Sequence, residues 1–142
     1  SRRELWLIVH EMVANGMTAI VSTAYLDEAE RCDRVALLSK GKLAALDAPA
    51  ELQERLRGRT IAIDSDSPVA AMELMRAHAG VRSAAMFGQS LHLTLQSPGL
   101  DSELGALLEA GGIAVRSMHQ LEPSLEDVFI DLSATAHTDH VN

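Results

Sequence analysis

The order of helix-like and strand-like segments after Thr60 constrains the fold more than any other feature of the sequence. Residues 81–87 and 91–95 alternate along their length and flank Gly88-Gln89, which is typical of a β-hairpin. An apolar helical pattern precedes this hairpin, another follows it, and strand-like segments stand at both ends. The sequence therefore predicts the order β-α-β-β-α-β, in which four antiparallel strands carry two helices on one face.

A further helix is predicted after this pattern. Ser124 and Asp127 match a capping box, in which each side chain bonds the backbone N–H of the other residue. The prediction is a small α+β, ferredoxin-like (βαββαβ) accessory domain over residues 59–134, followed by a flexible polar tail over residues 135–142.

The sequence pattern of residues 1–58 predicts a unit that differs from the α+β domain over residues 59–134. Residues 18–23 are apolar and β-branched, as in a buried parallel strand, and an acidic helix is expected over residues 27–33. A hairpin that turns at Lys40-Gly41 and a short helix that opens at Pro49 complete this part. A first helix is indicated by an apolar stripe at helical spacing, formed by Leu5, Ile8, Val9, Met12 and Val13.

The charge of the chain excludes two classes of partner. Its formal net charge is −8, so we expect neither nucleic acid nor an anionic membrane surface to bind it directly. Cys32 is the single cysteine, which rules out an internal disulfide and fits a reducing compartment. No apolar run approaches the ~18 residues that a membrane span needs.

Residues 22–29 read Ser-Thr-Ala-Tyr-Leu-Asp-Glu-Ala, between an apolar strand pattern and an acidic helix pattern. This segment resembles the switch region, or H-loop, of ATP-binding-cassette (ABC) ATPases, which usually reads Ser-Thr-His-x-x-x-Glu-Ala. Ala24 stands at the histidine position. In that family the histidine contacts the γ-phosphate, where an imidazole can donate a hydrogen bond or position water, and alanine can do neither.

Three further segments carry the same resemblance. Residues 1–5 are similar to the stretch that follows the D-loop, and Lys-Gly-Lys-Leu-Ala at 40–44 with Pro-Ala-Glu-Leu at 49–52 resembles the closing hairpin and helix of the ATPase core. Residues 121–130 read Leu-Glu-Pro-Ser-Leu-Glu-Asp-Val-Phe-Ile and resemble the C-terminal extension of ABC-2-type exporter ATPases. The resemblance implies an α/β fragment of a P-loop ABC ATPase core over residues 1–58, ahead of the accessory domain. It also gives four candidate interface residues, Arg2, Arg3, Asp27 and Glu28.

The sequence contains no G-x-x-x-x-G-K-[ST] phosphate loop, no family signature and no Mg²⁺-coordinating strand with a catalytic Glu. In such proteins these parts lie upstream, so Ser1 resembles a cut inside a longer chain. We therefore expect ATP and Mg²⁺ in the full-length parent, no cofactor in this fragment, and no ATP hydrolysis by the fragment alone.

Two interpretations of Ala24 remain open. The site is naturally degenerate and paired with an intact one elsewhere, or the alanine is an engineered or compensated change. The resemblance implies as partners a second nucleotide-binding half, in a dimer or in tandem, and a membrane permease subunit. It also implies a cytoplasmic location at the inner face of the membrane.

Two alternative functions stay open beside the exporter. One is a non-catalytic regulatory or dimerisation module that binds a small ligand or protein. The other is part of a soluble, translation-associated ABC ATPase, which the acidic charge disfavours for this fragment.

Other chemistry-bearing residues favour structural interpretations. Glu28 and Glu30 suit a solvated helix face, and the acidic loop at residues 64–67 suits a turn in which Ser67 is the helix N-cap. His137-x-x-His140 has metal-like content but lies in the predicted tail, so no metal site is predicted.

Overall fold

The computed structural model describes the backbone of residues 1–138 and the side chains of residues 1–135. Helices and strands alternate irregularly along this part of the chain. In chain order they are α1 (Arg2–Ala14), α2 (Leu26–Ala29), β1 (Val35–Ser39), β2 (Lys42–Asp47), α3 (Pro49–Glu54), β3 (Thr60–Ser65), α4 (Pro68–Arg76), β4 (Val81–Phe87), β5 (Ser90–Leu95), α5 (Asp101–Ala110), β6 (Val115–Gln120) and α6 (Leu125–Thr138).

The strands form two antiparallel sheets. Strands β1 and β2 make a hairpin, and Lys40 and Gly41 both have positive φ at its turn, as a two-residue hairpin turn requires. The second sheet has the order β4-β5-β3-β6, with antiparallel pairing throughout. The predicted β-α-β-β-α-β order after Thr60 and the small α+β unit are therefore confirmed.

One face of the four-stranded sheet carries the larger apolar core. Ile61 and Ile63 on β3 alternate with residues that face away, and both are almost fully buried. They pack in one cluster with β5 and with helices α4 and α5. The fully buried members of that cluster are Ile63, Ala71, Met75, Leu91, Leu93, Leu95, Leu104 and Leu108.

A second apolar cluster joins the two ends of the chain. Leu125 and Val128 of α6 pack with Leu37 of β1 and with Leu52 of α3. Helix α6 also contacts β4 and β5 of the large sheet. It therefore lies between the N-terminal hairpin and the sheet, and it contributes to the packing of both.

The prediction of a strand over residues 18–23 is wrong for this chain. These residues have no strand pairing, and the Ile20 side chain is 96% exposed. A strand needs hydrogen-bonded neighbours, and none of the described strands pairs with this segment. The acidic helix, predicted over residues 27–33, is also shorter than expected: α2 covers only Leu26–Ala29, and turns follow it.

The apolar stripe on α1 forms a helix as predicted but stays largely uncovered. Leu5 and Ile8 are 60% and 55% exposed, and Trp6 alone is buried within this helix. A helix with a sequence pattern for burial and an exposed apolar face is a surface able to pack against more protein.

At the other end, α6 runs to Thr138. The flexible tail over residues 135–142 stays a prediction, since residues 139–142, with His140, lie outside the described residues, as does the side chain of His137. Within residues 1–138, no helix is both long enough and apolar enough to cross a membrane.

Replacing Leu125 by alanine should lower the free energy of unfolding by about 2–5 kcal/mol, because a fully buried side chain leaves a cavity in the cluster that joins the chain ends. Urea unfolding at pH 7 measures the change. The matched control is Leu46→Ala, whose side chain is 50% exposed and which should cost less than about 1 kcal/mol. Equal losses in the two variants would contradict the importance given to this cluster.

Candidate functional site

An open cleft of about 400 Å³ lies beside Ala24, the position of the H-loop histidine. We call residues 22–30 the switch segment. One wall of the cleft comes from this segment and the other from the N-terminal end of α6. The lining residues are Ala24, Tyr25, Leu26, Asp27, Glu30, Ser124 and Glu126.

A hydrogen-bonded turn determines the shape of the switch segment before α2. The backbone N–H of Tyr25 donates to Thr23 Oγ1 at 3.0 Å, and the Thr23 hydroxyl donates to Glu28 Oε2 at 2.8 Å. Arg2 reaches the same carboxylate, with its Nε 3.5 Å from Glu28 Oε1, and its guanidinium lies 4.0 Å from the centre of the Tyr25 ring. Helix α1 is thereby tied to the turn that carries Ala24.

The predicted site residues thus have different surroundings. Arg2, Arg3 and Asp27 are exposed, the last of them at the cleft, whereas Glu28 is partly buried and pairs with Arg2. Ala24 is exposed and presents a methyl group, which neither donates nor accepts a hydrogen bond. A role for Arg2, Arg3, Asp27 and Glu28 at an interface stays a prediction.

Glu30 has a structural contact that the sequence analysis missed. Its Oε1 accepts a hydrogen bond from the backbone N–H of Leu125 at 3.0 Å and another from Gln53 Nε2 at 3.3 Å. The first of these satisfies one of the unpaired N–H groups at the start of α6 with a negatively charged acceptor. The sequence carried no signal for it, because the two residues are 95 positions apart.

The capping box at the start of α6 is confirmed. Asp127 Oδ2 accepts from the backbone N–H of Ser124 at 2.9 Å, and the Asp127 N–H donates to Ser124 Oγ at 3.2 Å. The other carboxylate oxygen of Asp127 lies 3.1 Å from His92 Nδ1 on β5. His92 in turn stacks on Phe87, so the cap also fastens α6 to the β4–β5 hairpin.

One turn further along α6, a buried acid faces a second basic residue of the sheet. Asp131 Oδ1 lies 3.0 Å from Arg82 Nε on β4, in a geometry that aligns no hydrogen bond between the two atoms, so the contact is an ion pair. Burial raises the pKa of Asp131 above its ordinary value, and the positive charge of Arg82 opposes that rise without cancelling it.

The acidic loop after β3 is occupied by its own contacts. The Ser65 hydroxyl donates to the carbonyl oxygen of Ala114 and accepts from the Ser67 N–H, while Arg116 pairs with Asp66. Ser67 is the N-cap of α4, although its hydroxyl makes no capping bond. Among the side chains that the structure describes, no group of three His, Cys, Asp or Glu could hold a metal ion.

Comparison with known proteins identifies the class. The model of a family described as ATP-binding protein DrrA1-3-like, C-terminal domain, matches residues 48–133. The chain is 34% identical over 140 residues to the probable multidrug ABC transporter ATP-binding protein YbhF of Escherichia coli (strain K12). The matched region covers 97% of the chain and 24% of YbhF.

Two further relatives match over nearly the same length. The daunorubicin resistance ATP-binding protein DrrA2 of Streptomyces coeruleorubidus is 27% identical over 139 residues, covering 94% of the chain and 43% of DrrA2. The Nod factor export ATP-binding protein I of Rhizobium sp. (strain N33) is 30% identical over 135 residues, covering 94% of the chain and 42% of the relative. The chain therefore spans less than half the length of these relatives.

These matches define the class of protein: the chain is a C-terminal portion of an ABC transporter ATP-binding protein of the ABC-2 export type. It belongs to the family of DrrA1-3-like ATP-binding proteins, whose C-terminal domain it carries. The resemblance drawn from the H-loop, the hairpin and the C-terminal motif is confirmed.

Replacing Asp131 by asparagine should raise the melting temperature at pH 7, because the raised pKa means that the native site disfavours the ionised carboxylate. Between the ordinary pKa and the raised native value, the native state holds more protons than the unfolded state. The stability of the unmodified protein therefore falls as pH rises through that window. The unmodified protein should therefore melt at a lower temperature than Asp131→Asn at pH 7, and this difference should shrink as pH falls from 7 towards 4.

Thermal unfolding of both proteins across this pH range measures the difference. Asp33→Asn at an exposed position is the matched control for the loss of one negative charge. A variant that is less stable at pH 7 would show that the ion pair with Arg82 outweighs the cost of burial.

Proposed function

We propose that this chain completes the ATP-binding subunit of an ABC-type exporter, in which ATP hydrolysis drives transport through a separate permease. The match of residues 48–133 to the DrrA1-3-like C-terminal domain carries this proposal. The names of the relatives support export, since they refer to multidrug transport, daunorubicin resistance and Nod factor export.

We further propose a division at Gly58. Residues 1–58 would form part of a P-loop ATPase core, and the exposed apolar side chains of Leu5, Ile8 and Ile20 support packing against more protein. Residues 59–134 would form a ferredoxin-like accessory domain. The strand order supports this, because β3 lies between β5 and β6 and each helical crossover passes over one strand.

The residues of this chain do not fit ATP and Mg²⁺ by themselves. The cleft beside Ala24 is lined by the acidic side chains Asp27, Glu30 and Glu126, and none of the lysines and arginines that the structure describes lines it. Triphosphate would be repelled there, since phosphate sites need backbone N–H groups and cationic side chains. In the full-length protein, ATP and Mg²⁺ would therefore be held by other parts of the ATPase.

Within that proposal, the site that Ala24 faces is catalytically degenerate. Its methyl group supports this, because it offers nothing to a γ-phosphate or to an attacking water. A second nucleotide-binding half would supply the competent site, as a partner subunit or in tandem. The same segment is a smaller share of YbhF than of DrrA2, so YbhF is the longer protein, which is compatible with a tandem arrangement.

The remaining partners follow from the same proposal. A membrane permease would hold the subunit at the inner, cytoplasmic face of the membrane. The net charge of −8 supports neither a nucleic-acid partner nor a translation-associated role for this part of the protein. The exposed apolar face of α1 keeps a dimerisation module as the second candidate function.

The Ala24→His variant of the full-length protein tests the degenerate site. We expect ATP turnover to rise by about tenfold or more, because an imidazole can donate a hydrogen bond to charge that develops at the γ-phosphate. Steady-state hydrolysis and equilibrium ATP binding are measured together. The control is Ala44→His at an exposed position of β2.

The outcomes separate the two parts of the proposal. Absence of ATP binding by the full-length protein would overturn the ATPase assignment and favour the dimerisation module. High turnover that Ala24→His leaves unchanged would overturn the degenerate site alone.

A further inference from the structure

A second open groove, of about 470 Å³, crosses the face of the four-stranded sheet that points away from α4 and α5. Every strand contributes to its lining: Phe87 from β4, Ser90 from β5, Asp64 from β3 and Arg116 from β6, with Gln89 from the β4–β5 turn. The lining therefore combines an aromatic ring, a carboxylate, a guanidinium and two neutral polar groups. Within the described part of the chain, no residue of the switch segment or of α6 lines this groove.

The register of the sheet explains why these side chains share one face. Ile63 and Leu91 are paired and face the apolar core, so their neighbours Asp64 and Ser90 face away from it. Phe87 stands opposite Ser90. Since neighbouring strands lie about 4.8 Å apart, Phe87 on β4 and Asp64 on β3 are separated by about 10 Å across β5. A ligand as long as one aromatic amino acid can contact both.

The two charged groups of the groove stand on adjacent strands and are only partly used by the protein. Asp64 Oδ2 accepts from the Ser117 hydroxyl at 3.1 Å, and a carboxylate can accept several more bonds. Arg116 donates through Nη2 to the carbonyl oxygen of Ser65 at 3.1 Å, and its Nε lies 3.3 Å from Asp66 Oδ1. A guanidinium has five N–H groups, so these two contacts leave donors for a ligand.

The aromatic wall of the groove is held in place before any ligand binds. Phe87 stacks on His92, with the ring centres 4.1 Å apart. His92 Nδ1 lies 3.1 Å from Asp127 Oδ1, and the capping box at the start of α6 holds Asp127 in turn. A ring restrained in this way loses little freedom when a ligand packs against it, which lowers the entropic cost of binding.

We propose that this groove binds a small zwitterion with an apolar side chain, of which a free aromatic amino acid is the simplest case. The ammonium group binds Asp64, the carboxylate binds Arg116, and the ring packs against Phe87. Both charged groups of an α-amino acid are attached to one carbon, which suits partners on adjacent strands. A simple anion or a simple cation would use only one of the two. This binding does not require the nucleotide site of the proposed function.

Titration calorimetry of the unmodified full-length protein with L-phenylalanine tests the site. We expect saturable binding with a dissociation constant on the order of 1 mM, because an open groove shields only part of a ligand. Phenylalaninamide lacks the carboxylate and N-acetylphenylalanine lacks the ammonium group, so each should bind at least about tenfold more weakly. Absence of saturable binding by L-phenylalanine would overturn the proposal, and so would equal binding of either analogue.

Two substitutions locate the binding. Asp64→Asn and Arg116→Gln each remove one charge, and each should weaken L-phenylalanine binding by about tenfold or more. Arg57→Gln is the matched control, because the Arg57 side chain is 63% exposed, close to the 61% of Arg116, and it also pairs with an acid. Melting temperatures check that the variants fold, and the analogues decide the question if either does not. Binding that survives both substitutions would overturn the proposal, as would an equal loss in Arg57→Gln.

Discussion

Burial of Leu125 against the N-terminal hairpin is the contact on which the arrangement of the two parts depends. Leu125 begins α6, is fully buried, and packs in one cluster with β1 and α3. The same helix extends two acids, Asp127 and Asp131, towards the four-stranded sheet. An apolar contact on one side and polar contacts on the other make α6 a shared element, because both parts of the chain pack against it.

The sequence predicted well where the signal is local. The hairpin around Gly88-Gln89, the turn at Lys40-Gly41 and the capping box of Ser124 all depend on residues within a few positions of each other, and all formed as expected. The class of protein was also readable, because the H-loop motif is contiguous and the comparisons confirmed the family. A short sequence pattern is sufficient to predict a turn or a helix cap when the residues that form it are neighbours in the chain.

The failures share one physical origin. Residues 18–23 have the composition of a buried strand, but a strand exists only with paired neighbours, so composition alone predicted the wrong state for this chain. Glu30 is exposed, as the helix-face interpretation expects, but its bond to the N–H of Leu125 could not be foreseen because that backbone group lies 95 positions away. Likewise, nothing in the sequence indicated that His92 would meet Asp127. Tertiary contacts of this kind appear only once the elements are assembled.

The spacing of the two acids on α6 has a mechanical consequence. Asp127 and Asp131 stand one helical turn apart and meet basic side chains on two adjacent strands, His92 and Arg82. A slide or rotation of the helix by part of a turn would separate both buried carboxylates from these partners, which is costly. The helix therefore has few resting positions on the sheet and a barrier between them. A displacement of α6 along the sheet would therefore have to cross that barrier and could not proceed gradually.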